Sequence, residues 1–128
     1  SLAAFDASFA AGLLEAAVQV HSTNAAVLFV ACDVPYPEPL HALRPVEDVM
    51  AVALVLAPES SSGRLLRIEM ANGDMPITCC ADAAFEALRV GIPAARALPL
   101  LQALIASAPS QVVIEGSTGS TLTVHVTS

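Results

Sequence analysis

The chain has 128 residues, 55% of them apolar and only 13% charged, where an ordinary soluble domain carries about 25% charged residues. That balance excludes a disordered acidic tail and predicts more buried surface than one small domain covers alone. Twelve acidic residues oppose five basic ones, all arginine, for a net charge of −7, so the sequence has no basic stripe for nucleic acid or for an anionic membrane.

The longest charge-free stretch, residues 97–114, is broken by Pro99, Gln102, Ser107, Pro109 and Ser110. A membrane span needs about 20 predominantly apolar residues, so none is expected. No charged segment precedes an apolar run as in a signal peptide. The three cysteines, Cys32, Cys79 and Cys80, make no disulfide framework, and a reducing, cytoplasmic setting is expected.

The opening segment SLAAFDASFAAGLLEAAVQV places Phe5, Phe9, Leu13 and Ala16 at helical spacing in an alanine-rich context. It is apolar nearly all round, the pattern of a buried helix, and Ala10, Ala11 and Gly12 are small enough for another backbone to come close. Val27 to Cys32 is a continuous apolar run, read as a strand buried on both faces. Pro35, Pro37, Pro39 and Pro45 then impose an extended, irregular loop.

Val49 to Leu56 reads as a second buried strand, and Arg64 to Met70 as a half-exposed one with Leu66, Ile68 and Met70 inward. A serine-rich turn over Glu59 to Gly63 would join them as a hairpin. Asn72-Gly73 signals a turn. A short helix is expected over Asp82 to Val90, with Gly91 past its end. A second covers Ala97 to Ser107, with Leu98, Leu101, Leu104 and Ile105 on one face and Pro99 tolerated in the first turn. Gln111 to Glu115 and Thr121 to Val126 flank GSTGS as a terminal hairpin, with Leu122, Val124 and Val126 inward. One α/β domain over residues 1–128 is the simplest account.

The phrases SFAAGLLEAA, PYPEPL, AVALVLAP and PAARALPLLQAL, in that order, resemble the β-ketoacyl-synthase-like N-terminal domain family, whose short members carry about half of a ketosynthase. The resemblance implies a thiolase-like half domain: α/β, a mixed sheet, a buried central helix and the C-terminal hairpin. It also implies a chain that lacks its N-terminal part, because the nucleophile position of a ketosynthase aligns immediately upstream of Ser1. Condensation needs a thiolate and two histidines to hold the enolate. His21, His41 and His125 are each isolated and match none of the family's histidine motifs.

Residue by residue, structural readings lead. Cys32 is read as a small core residue. Cys79 and Cys80 precede a helix, where thiol reactivity is conceivable, but no CxxC pair or histidine cluster marks a metal site. His41 lies near Glu38, Arg44, Glu47 and Asp48 and is read as a solvated loop histidine rather than an acid–base group. His125 is expected to face solvent. Asp6 is read as a cap of the first helix and Asp33 as fixing the turn after its strand. Ser1 has the groups of an N-terminal nucleophile, although a cut chain end is the plainer reading.

No catalytic, cofactor or metal residue is assigned. Phe5, Phe9, Gly12 and Tyr36 are the candidates for a partner interface or an acyl tunnel, Tyr36 because prolines hold it rigid. The resemblance implies a non-catalytic, chain-length-factor-like subunit that pairs with an active ketosynthase in polyketide, aryl polyene or fatty-acid-like chain assembly, with an acyl carrier protein as a further partner and a hetero- or homo-oligomer as the working form. The alternatives are an active condensing enzyme whose nucleophile lies upstream of Ser1, and a binding module without acyl chemistry. Independently, a helix apolar all round wants cover on two sides.

Overall fold

The computed structural model describes residues 7–43, 46, 48–59, 63–72, 75–117 and 119–127. Phe5, Asp6, Ser1 and most of the Glu59 to Gly63 turn fall outside them, as does Gly73. The elements in order are α1 (Ser8–Thr23), β1 (Val27–Asp33), α2 (Leu40–Leu43), β2 (Met50–Leu56), β3 (Leu65–Asn72), α3 (Ala83–Gly91), a 3-10 helix (Pro93–Ala97), α4 (Leu98–Ile105), β4 (Ser110–Glu115) and β5 (Ser120–Thr127).

The expected single mixed sheet is instead two antiparallel sheets, β1–β2 and β3–β5–β4. Among the described residues the expected β2–β3 hairpin does not form. Leu66 and Ile68 of β3 register with Val126 and Val124 of β5 and pack against the core there, whereas Met70, expected inward, is 63% exposed. The terminal hairpin forms as read: Val112, Ile114, Leu122, Val124 and Val126 are all buried. In its turn Gly116 N–H donates to Ser120 O, and Gly119 adopts φ +72°, which favours glycine.

The inner faces of both sheets meet α1 and α4 in one core built on Phe9, Leu13, Leu100, Val112, Ile114, Leu122, Val124 and Val126. α1 ends at Asn24, which takes the left-handed conformation and donates its N–H to Val20 O. Phe9, Ala10, Leu13 and Ala16 of α1 are buried, but Glu15, Val18 and Gln19 are exposed. The all-round buried helix of the sequence reading is therefore covered on one side and wetted along the other.

β1 and β2 depart furthest from expectation. Neither is buried on both faces; each alternates. The outer face holds the register pairs Leu28–Val55, Val30–Ala53 and Cys32–Ala51, with Leu28 65%, Val30 54% and Val55 72% exposed. Cys32 is exposed on this face, not a core residue.

The helical half of the chain is also redrawn. α3 runs through Gly91 and is closed by Ile92, whose N–H donates to Leu88 O, so Gly91 is the last helical residue rather than a left-handed stop. Asp82 caps α3, accepting from the backbone N–H groups of Ala84 and Phe85 at 2.8 and 3.0 Å. The following 3-10 helix, all buried, packs against α1, α3, α4, β1 and β2, a contact hub made possible by its three small alanines. α4 presents Leu100 and Ala103 to the core, while Ile105 is 86% exposed. Of the expected face, Leu101 and Leu104 pack against the same core and Leu98 against Val46, Ile92 and Ala95, so only Ile105 departs from the reading.

Candidate functional site

Two places gather functional side chains. The first is an open groove of about 910 Å³ between α1 and β1. α1 supplies Phe9, Gly12, Glu15, Ala16 and Gln19; β1 runs along it for its whole length; Tyr36, Val46, Pro93 and Ala94 line it too. Among the described residues β1 pairs only with β2, so its other edge keeps an unpaired row of backbone donors and acceptors.

Sequence gave α1 its role here through size. A Cβ at Gly12 would stand 2.6 Å from Cε1 of Phe29, so any larger residue requires that ring to shift for the helix to lie this close to β1. The Phe29 ring in turn packs on Phe9, centroids 5.5 Å apart. Three of the four interface or tunnel candidates, Phe9, Gly12 and Tyr36, thus border one groove, and Phe5 lies outside the described residues. Phe9 is fully buried at the floor, Gly12 is packed by its own chain, and Tyr36 is exposed. Polar groups in the groove are largely engaged: Gln19 Nε2 donates to Glu15 Oε1 at 3.1 Å, and Asp33 Oδ2 accepts from Ala94 N–H at 2.6 Å. Asp33 therefore ties β1 to the 3-10 helix rather than fixing a local turn.

The second place is a charged network that the sequence reading missed. Arg89, 8% exposed, donates from Nε and Nη2 to both oxygens of Glu86 at 2.7 Å. Its Nη1 lies 3.4 Å from Glu115 Oε1, which also accepts from Arg96 Nε at 3.0 Å. Arg96 Nη1 donates to Val90 O. The backbone N–H of Cys80 reaches Glu86 Oε1 at 2.8 Å. The fork from Arg89 and that N–H hold the Glu86 carboxyl down from its ordinary 4.5 to about 2; the same pairing holds the Arg89 guanidinium above its ordinary value. Burial, then Glu86, pushes the Cys80 thiol up. The spacing of Glu86 and Arg89 was a legible helical pair. The link to Glu115 on β4 had no local signal.

The histidines stand apart, on α1, α2 and β5. His41 is half-buried, and its Nδ1 has no hydrogen-bond partner among the described residues. His125 is half-buried too, not solvent-facing, with Nε2 3.5 Å from Glu69 Oε2 on the neighbouring strand. Among the described residues no cluster of histidine, cysteine and acidic side chains fit to hold a metal ion occurs, and no helix is long and apolar enough to cross a membrane.

Compared with known families, the chain matches the model described as beta-ketoacyl synthase, N-terminal domain, over residues 1–114. No curated protein and no solved structure matches it. The matched region takes in every element through most of β4 and stops before β5.

Proposed function

Because the chain belongs to the beta-ketoacyl synthase N-terminal domain family, we propose that it is a ketosynthase-like subunit of thiolase-like half-domain architecture that acts without its own condensing chemistry. It pairs with an active ketosynthase and helps shape the acyl tunnel in polyketide, aryl polyene or related chain assembly, in the manner of a chain-length factor. An acyl carrier protein would meet the assembled pair.

The observation that carries the reading is the open face of β1–β2. Leu28, Val30, Cys32, Ala51, Ala53 and Val55 form an uncharged surface beside a groove that follows the unpaired edge of β1. Fully burying one valine or leucine contributes about 1.5–3 kcal/mol, so a partner that covers this face gains several such increments before association costs are met. Contiguous apolar patches of this kind mark interaction surfaces.

Co-expression with a ketosynthase subunit that has its nucleophile cysteine is the test. The wild-type chain is expected to co-purify with it as one species. Val30→Asp places a charge on the open face without touching the core and is expected to lower the co-purified fraction at least tenfold while leaving the melting temperature within a degree or two. A wild-type chain that elutes as a monomer, unchanged by added ketosynthase, would sink the proposal.

A further inference from the structure

We draw no further inference here: the strongest candidate, the cleft of about 510 Å³ between the C-terminal half of α1, the end of β2 and β3, carries nothing because Arg64, the arginine that lines it, already donates to the carbonyls of Leu104, Ala106 and Thr127 and nothing in the structure shows what would fill it.

Discussion

At Gly12 a single missing methyl group decides how closely α1 can lie on β1. The ring of Phe29 occupies the space that any Cβ would need, and that ring also rests on buried Phe9. Gly12→Leu therefore overpacks the contact and is expected to cost about 1–3 kcal/mol, read as a lowered midpoint in urea unfolding. Gln in place of exposed Val18, on the wetted side of the same helix, is expected to stay within about 0.5 kcal/mol; equal losses for the two variants would refute the contact. The Ala10–Ala11–Gly12 run announced a close approach, although its partner turned out to be a ring of the same chain. Glu86 carries a pH consequence of definite sign. Its carboxyl sits well below its ordinary value in the folded chain, so the stability it contributes is present above about pH 4.5 and is lost as pH falls toward 2. Glu86→Gln removes that contribution. The melting temperatures of wild type and variant should differ most above pH 5 and converge as pH falls toward 2; a gap of constant size across that range would contradict the pairing.

Among the elements, those closed by local chemistry were the easiest to read. The β4–β5 hairpin follows from alternation and a glycine turn, and α3 was placed to within a residue at each end, while its Asp82 cap and the left-handed Asn24 that closes α1 emerged only from the structure. β1 and β2 misled because a continuous apolar run looks the same whether both faces are covered or one remains open. No element was expected over the 3-10 helix, yet its buried alanines touch five other elements. Pairing of β3 with β5 rather than with β2 was illegible for another reason: both partners are apolar strands, and separation along the chain does not rank them. The candidate groove was half legible. Its helix side could be read from residue size and its Tyr36 rim from the flanking prolines, whereas the strand side depended on knowing which edge of β1 stays unpaired. Arg64 shows the same limit. Its guanidinium donates to the carbonyls of Leu104 and Ala106 at the end of α4, and to Thr127 O on β5, a clasp across some forty to sixty residues of chain that no local pattern announces.

For the whole molecule, composition had already indicated an excess of apolar surface, and the structure localises much of it. One core satisfies both inner sheet faces, α1 and α4, while the outer face of β1–β2 and the groove beside it stay open. The chain, a member of the beta-ketoacyl synthase N-terminal domain family, thus carries an open uncharged sheet face, and the proposed pairing would cover it. The most direct measurement is amide hydrogen exchange across Val27–Asp33 and Met50–Leu56, for the chain alone and mixed with a ketosynthase subunit. The account predicts that the β1 amides on its unpaired edge exchange freely in the isolated chain and become protected in the mixture. Exchange at β1 that is identical with and without the partner would contradict it.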